Sequence, residues 1–377
     1  AGRLPSMLWV IGVRHRGATV EVTDLRLSCV EELLPEPDIV VGEPRTGASI
    51  QKAINELPDG GVIYIPAGTY TLDARLTINS GDLTVYGDGT ATILSADWLD
   101  NQAIFQIADC QNVRISRLHL VGPSMKTFRG YNQEGIARPE DVDRPAVVSF
   151  GIGVWRCRDV RVDRCDIERF GHSGLYASDS SDVVFDHCFV HENFRYGLGY
   201  GLVTGGDSGG AYFEDNNIEN QRHAVAAAPY TSYVARYNRM VNDAAVLPEW
   251  GQNDQALSQF TLQLIDAHPH AGWVGVFGNL VQMRNSTIRT GMNLRGDGGA
   301  WICGNAIDGA EVGILFRGDA EKIRVWDNKY GRVRIETESE ADDSISASGA
   351  ADEAAWPEYP HRLVAGDFWP GAGEGRS

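Results

Sequence analysis

From about residue 110 the chain repeats one short pattern. Its copies read NVRISRLHL, DVRVDRCDI, DVVFDHCFV, AYFEDNNI, YVARYNRM, GVFGNLV, WICGNAI and RVWDNKY. In each, apolar and polar residues alternate, a period of two that predicts a β-strand. Each copy then places a marker residue, with an apolar residue two positions later. The markers are Leu118, Cys165, Cys188, Asn216, Asn238, Asn279, Asn305 and Asn328, spaced by 47, 23, 28, 22, 41, 26 and 23 residues. The shortest spacings cluster at 22–23, and the others read as the same unit with insertions. A unit this short cannot close a hydrophobic core alone. Copies must therefore stack, each burying its inward side chains against its neighbours. Coils stacked by strand pairing rise about 4.8 Å each. On that geometry the Asn run from 216 to 328 forms an internal ladder of side-chain amides. Cys165 and Cys188 occupy a drier part of the same column, in contact rather than bonded. Leucine-rich repeats share the unit length, but their LxxLxLxxN signature is absent.

Upstream lies GASIQKAINELPDGGVIYIPAGTYTLDARLTI, residues 47–78. Ile50, Ala53, Ile54 and Leu57 share one face at helical spacing, which predicts a short amphipathic helix. Asp59, Gly60 and Gly61 end it, and Val62–Ile65 begins a strand. This wording resembles the right-handed parallel β-helix superfamily, the pectate-lyase-like group. There such a helix caps a first coil that would otherwise expose strand edges. The resemblance implies an all-β fold, a right-handed parallel β-helix solenoid with an N-terminal capping helix, over residues 47–335. Residues 1–46 are then an N-terminal arm or the remnant of a preceding module. Residues 336–377 are an acidic linker and C-terminal tail: 336–355 is acidic and small, as a flexible segment is, and the WPEYPHRLVAGDFWP that follows sets aromatics among prolines. The superfamily hosts lyases, hydrolases, epimerases and viral tail spikes, so fold alone does not select an activity.

Beyond each marker the chain enters a further strand. These align as GLYAS (174–178), GLGYG (197–201), AVAAA (224–228), LIDAH (264–268), GMNLR (291–295) and GILFR (313–317). Inward positions are then Leu175, Leu198, Val225, Ile265, Met292 and Ile314, followed by Ala177, Tyr200, Ala227, Ala267, Leu294 and Phe316. One outward column is Tyr176, Gly199, Ala226, Asp266, Asn293 and Leu315; the other is Ser178, Gly201, Ala228, His268, Arg295 and Arg317. Early coils offer a floor of small residues. Later ones gather Asp266, His268, Asn293, Arg295 and Arg317, a polar cluster suited to one extended polysaccharide.

β-Elimination of a uronic acid sugar needs three groups. A cation neutralises the carboxylate, a base takes the C5 proton, and an acid protonates the leaving oxygen. His268 is the base candidate, because imidazole titrates near neutrality. Arg295 and Arg317 would stabilise the enolate-like charge, with Asp266 beside them. Hydrolysis would instead need a carboxylate pair, for which Asp266 with Asp297 or Glu249 is available. Arg222 and His223, with Arg195 and His172 in aligned turns, extend the groove or bind an anionic sugar. Insertions at 122–147 and 241–262 wall it, and Trp250 in the second is a candidate sugar-stacking platform. Asn293, Arg222, His223, Trp250 and Asp297 complete the candidate substrate contacts. Asp266 to His270 (DAHPH) offers metal-ligand types, but the sequence shows no three-ligand set. Calcium on scattered carboxylates suits the fold without a localised site.

Composition narrows the partners. Lys and Arg number 33 against 51 Asp and Glu, a net charge of −18. That argues against a nucleic-acid binder, whose footprint would be basic. A polyanionic glycan then requires that the Arg column dominate locally, or that salt screen the repulsion. No run of 18 apolar residues encodes a membrane span. Six Cys without a CxxC pair make neither a disulfide scaffold nor a structural zinc site. Three readings remain open: a secreted polysaccharide lyase, a glycoside hydrolase on the same groove, and a non-catalytic carbohydrate-binding or adhesin solenoid. All three place the protein outside the cell or at its surface.

Overall fold

A computed structural model describes residues 34–99, 101–123, 148–193, 198–207, 209–243, 263–317 and 322–339. The described residues from 37 onward form one compact unit, which carries every strand discussed below. Among the described residues every strand pairing is parallel, and one short helix precedes the coils. A typical coil runs through three strands. Ile288–Leu294 leads to Ala300–Cys303, then to Ala306–Asp308, and Ala310–Phe316 begins the next coil directly above Ile288–Leu294. The face that carries Ile288–Leu294 is a sheet of ten strands, from Leu76–Ile78 to Val333–Ser339. The chain is thus a parallel β-solenoid, as the stacked alternation requires.

The markers sit at the corner between the second and third strands, and the backbone explains the spacing. The residue before each marker is in the left-handed region: Arg117, Arg164, His187, Asp215, Tyr237, Gly278, Gly304 and Asp327 have φ between 52° and 67°. One such residue turns the strand sharply. The turn leaves a backbone N–H pointing along the solenoid axis, and the next coil's marker accepts it. Cys188 N donates to Asn216 Oδ1 at 3.0 Å, Asn216 N to Asn238 at 3.0 Å, Asn238 N to Asn279 at 2.9 Å, Asn279 N to Asn305 at 2.9 Å and Asn305 N to Asn328 at 3.0 Å. From Asn216 to Asn305 each Nδ2 donates in turn to the next Asn Oδ1 and to a carbonyl of the preceding coil, as Asn279 does to Ala235 at 2.9 Å, and Asn328 donates to Ile302 O at 3.0 Å. The buried Asn side chains thereby satisfy groups that no strand can reach. Cys165 and Cys188 continue the column as free thiols.

A second ladder, which the repeat pattern does not announce, stands at the corner leading into the ten-stranded face. Phe170 N donates to Asn193 Oδ1 at 2.8 Å, Asn193 N to Gln221 Oε1 at 3.2 Å, and Gln221 N to Asn242 Oδ1 at 2.9 Å. Between the ladders the core is continuous and apolar. Phe185 stacks on Phe213 with centroids 5.7 Å apart, and Tyr233 follows at 5.6 Å. Glycine keeps the coils close: a Cβ on Gly291 would lie 2.8 Å from the Gly313 carbonyl oxygen.

The helix Gly47–Asn55 starts at Thr46, whose Oγ1 accepts from Ser49 N at 3.4 Å. It buries Ile50, Ala53 and Ile54. Its Gln51 amide meets the terminal strand Leu76–Ile78, donating to Thr77 O at 3.0 Å and accepting from Thr77 N at 2.7 Å. One side chain thus makes the pair of bonds that a further strand's peptide group would make. Strand pairing starts upstream of the helix, at Ile39–Val40 against Ile63 and Tyr64, and continues to Ser339. Among the described residues no helix is long and apolar enough to cross a membrane.

Candidate active site on the ten-stranded face

The strand Ile265–Ala267 carries the centre of the site. Its alternation sends Ile265 and Ala267 into the core and Asp266 to the other side. Asp266 is nevertheless fully buried, because its neighbours roof it. His268 Nε2 lies 2.8 Å from Asp266 Oδ2. Arg295 Nη2 lies 2.9 Å from the same oxygen and 3.2 Å from Oδ1. Gln263 Nε2 donates to Oδ1 at 3.0 Å. His223 Nε2 stands 3.9 Å from Oδ2, while its Nδ1 is 2.8 Å from the Gln263 carbonyl oxygen. His268 and Arg295 are about a quarter exposed, at 26% and 24%, so they form the solvent-facing part.

Electrostatics follow from this packing. Burial alone would raise the Asp266 carboxyl. The His268 hydrogen bond and the Arg295 charge outweigh it and hold the group well below the usual carboxylate range. Asp266 is a fixed anion. His223 goes the other way: burial, with Arg222 beside it, pushes the imidazole down to about 3, so the ring is neutral. Burial also pushes up the Tyr200 hydroxyl, which Arg222 Nη1 approaches at 3.4 Å. Three buried polar atoms around the centre have no hydrogen-bond partner: His223 Nε2, Asn293 Oδ1 and Arg295 Nε. Such orphans are rare in folded proteins and call for an explanation, of which an absent ligand is one.

A strip of rings leads to the centre. Phe150 lies 4.4 Å from His172, His172 5.6 Å from Tyr200, and Tyr200 5.5 Å from His223 and 6.2 Å from His268, with Trp155 and Tyr176 packed beside Phe150. Arg222 lies over the Tyr200 ring at 5.8 Å. A separate open cavity of about 530 Å³ lies at the turns around Cys110, Arg156, Cys157 and Asp179. It lacks the His, Arg and buried carboxylate combination, and chemistry rather than volume selects the Asp266 centre.

Known proteins bear on the fold. Residues 77–239 match the family described as the right handed beta helix region. No curated protein matches the chain in sequence. Among solved structures, an alginate lyase from Paenibacillus sp. str. FPU-7 superposes with a TM-score of 0.54 at 14% identity, over 78% of this chain and 97% of that one. A DFA-IIIase from Arthrobacter chlorophenolicus A6 gives 0.51 at 14%, over 80% and 85%, and the pectate lyase Pel9A gives 0.50 at 13%, over 79% and 75%. The chain is a right-handed parallel β-helix. At such identities the likeness carries the fold and not the chemistry.

The β-helix brings part of the expected residue set together. Asp266, His268 and Arg295 form one cluster with His223, and Asn293 pairs with Asp266 in register. Arg317 follows Phe316 as Arg295 follows Leu294, and its N–H donates to Leu294 O at 2.9 Å, so it stands one coil further along the same column, exposed. Arg222 lies beside Tyr200. Asp297 is elsewhere, an exposed partner of His270 at 2.7 Å. His191 faces Asp166 on another face, at 2.9 Å. Trp250, Glu249 and Arg195 lie outside the described residues.

Three expectations change. The coil aligned as 197–201 is in fact Tyr200–Gly205, so Val203 stands between Tyr176 and Ala226, and Leu202 and Thr204 replace Leu198 and Tyr200 in the inward positions. The column expected to line an open groove is closed over: Val203, Ala226, Asp266, Asn293 and Leu315 are all buried. His223, Asp266 and His268, which show no metal-ligand spacing in sequence, place three donor atoms within 4.8 Å of one another. Calcium does not fit this centre. It takes about six to eight oxygens, whereas the centre offers one carboxylate, already bonded, and two imidazoles. A constant offset from the marker sends Tyr200 into the core, which hides it and the ring strip in the sequence.

Proposed function

We propose that this β-helix is a secreted polysaccharide lyase that cleaves a uronic-acid-containing glycan by β-elimination. The observation that carries the reading is the buried, ionised Asp266 holding His268 and Arg295 in one cluster. Asp266 Oδ2 can only accept, so His268 presents Nε2–H to it and keeps its lone pair on Nδ1. That nitrogen takes the C5 proton. The C5–H electrons form the C4–C5 double bond and the C4–O bond breaks. Tyr200, kept protonated by burial, supplies a proton to the leaving oxygen. Arg295 and Arg317 pair with the sugar carboxylate and spread the enolate charge. The ring strip offers faces on which neighbouring sugars stack.

The same electrostatics weigh against a hydrolase. Inverting and retaining enzymes need one carboxyl that stays protonated as a general acid. Asp266 is held ionised, and Asp297 sits exposed with His270. Two of the structural neighbours are lyases of alginate and of pectate, in keeping with a uronate polymer as substrate. Such a polymer is met outside the cell.

The test is a panel of uronate polymers, followed by ultraviolet absorbance of the unsaturated product. Wild-type protein is expected to generate it on at least one polymer. His268→Ala is expected to lower the rate by about 10²–10⁴-fold. Absorbance on no polymer ends the lyase reading. Reducing ends without absorbance would point to hydrolysis, and binding without turnover to an adhesin.

A further inference from the structure

The centre holds one contact that the elimination does not use. The Gln263 carbonyl accepts from His223 Nδ1, so the hydrogen of the neutral ring is on Nδ1 and Nε2 is a bare lone pair. This nitrogen is fully buried and without a hydrogen-bond partner. It faces Asp266 Oδ2 at 3.9 Å, and that oxygen is an acceptor too. A water bridging two acceptors needs two bonds of about 2.8 Å at a near-tetrahedral angle, which sets the acceptors about 4.5 Å apart. The observed gap is narrower. Two ligands of one tetrahedral ion at about 2.1 Å each stand about 3.4 Å apart, and an opened angle carries the separation up to about 4.2 Å, so a small cation fits the gap at a widened angle. His268 Nε2, 2.8 Å from the same oxygen, completes a third position, with all three atoms within 4.8 Å.

We propose that His223, Asp266 and His268 bind a divalent first-row transition ion of the zinc type, and that its arrival withdraws His268 from proton transfer. The outer contacts are those a metal ligand set requires. His223 Nδ1–H is fixed by the Gln263 backbone carbonyl, and Asp266 Oδ1 accepts from the Gln263 side chain at 3.0 Å. Arg295 keeps its contact with Oδ1 at 3.2 Å while the ion takes Oδ2. Two imidazole donors with one carboxylate favour zinc-like ions over calcium or magnesium. When His268 Nε2 gives its lone pair to the ion, the ring hydrogen moves to Nδ1. That is the atom the elimination needs bare. The binding rests on this geometry alone; only its inhibitory consequence rests on the proposed elimination.

The experiment is equilibrium dialysis of chelator-treated full-length protein against Zn²⁺, read alongside the thermal unfolding midpoint. His223→Asn keeps an amide N–H for the Gln263 carbonyl and removes the Nε2 lone pair. His268→Ala removes a partly exposed ligand and tests the site if the buried variant folds poorly. Glu168, His191 and Glu192 also converge, on another face, so His191→Ala reports on binding there. Wild type is expected to take up one tight equivalent and to melt higher with Zn²⁺. His223→Asn and His268→Ala should weaken uptake roughly 100-fold or more, His191→Ala should retain it, and Ca²⁺ should not compete. Equal uptake by wild type and His223→Asn, or loss in His191→Ala alone, overturns the site. On a polymer that the chelated enzyme cleaves, Zn²⁺ should lower the rate at least tenfold; activation by Zn²⁺ overturns the inhibitory half. If chelated protein cleaves nothing, the elimination reading fails, and dialysis still decides the metal site.

Discussion

Asp266→Asn is expected to remove nearly all turnover, by about 10³–10⁴-fold, with the fold retained. The loss arises from orientation, not from a missing nucleophile. An Asn side chain can present its amide N–H to His268, which favours the tautomer with the hydrogen on Nδ1, the wrong one for taking a proton. A comparable tautomer error in a serine-protease triad costs about 10⁴. Stability should fall as well, because Arg295 loses the carboxylate that holds it at 2.9 Å. Breaking a buried ion pair costs about 3–5 kcal/mol. Arg295 is about a quarter exposed, so water recovers part of its solvation, and about 2–3 kcal/mol is the expected loss. Rates by product absorbance and urea unfolding of the same preparation separate the two effects. A variant that loses stability but keeps its rate would remove Asp266 from the mechanism and leave it a structural anchor.

The second large effect belongs to the Asn ladder. Asn279→Ala removes an oxygen that accepts from Asn238 N at 2.9 Å and Asn238 Nδ2 at 3.0 Å, and an amide that donates to Ala235 O and Asn305 Oδ1. The Asn238 backbone N–H is then left buried without its acceptor. Each stranded buried group costs about 1–3 kcal/mol, so the expected loss is about 3–5 kcal/mol, read as a lower urea midpoint. Asn279→Asp tests the direction of the ladder. Its oxygens can still accept from Asn238, but it loses both donations, so it should fall between Ala and wild type only if acceptance dominates. A loss below about 1 kcal/mol for Asn279→Ala would show that water replaces the rung.

The solenoid was legible because its corner is chemically narrow. One left-handed residue leaves one axial N–H, and Asn answers it with a single side chain, so the type recurs at Asn216, Asn238, Asn279, Asn305 and Asn328. The second corner has the same need, but Asn193, Gln221 and Asn242 meet it with different side chains and uneven spacing, which hides the repeat. The shift in one coil has a similar origin. Between Cys188 and Asn216 the extra residues fall before the strand Tyr200–Gly205, so a constant offset from the marker selects the wrong stretch of a glycine-rich run. That displacement hid Tyr200. Asp266, in one outward column, and His268 and Arg295, in the other, were legible as neighbours because the coils after them keep a regular register. The burial of Asp266 was not, since a period of two says which side a residue takes but not what roofs it. His223 shows the limit most plainly: its buried lone pair depends on the Gln263 carbonyl, a backbone atom that no residue pattern reports.

Cys165 and Cys188 occupy the same rung one coil apart, since Phe189 N bonds to Cys165 O and Asn217 N to Cys188 O. Excising residues 166–188 would splice Cys165 directly onto Phe189, repeating the junction that Cys188 already makes. Such a shortened molecule should fold, lose one coil's rise in length, and leave the contacts among Asp266, His223, His268 and Arg295 untouched. The number of coils ahead of the Asp266 centre is therefore an adjustable dimension, while the same excision takes His172 and Tyr176 out of the ring strip.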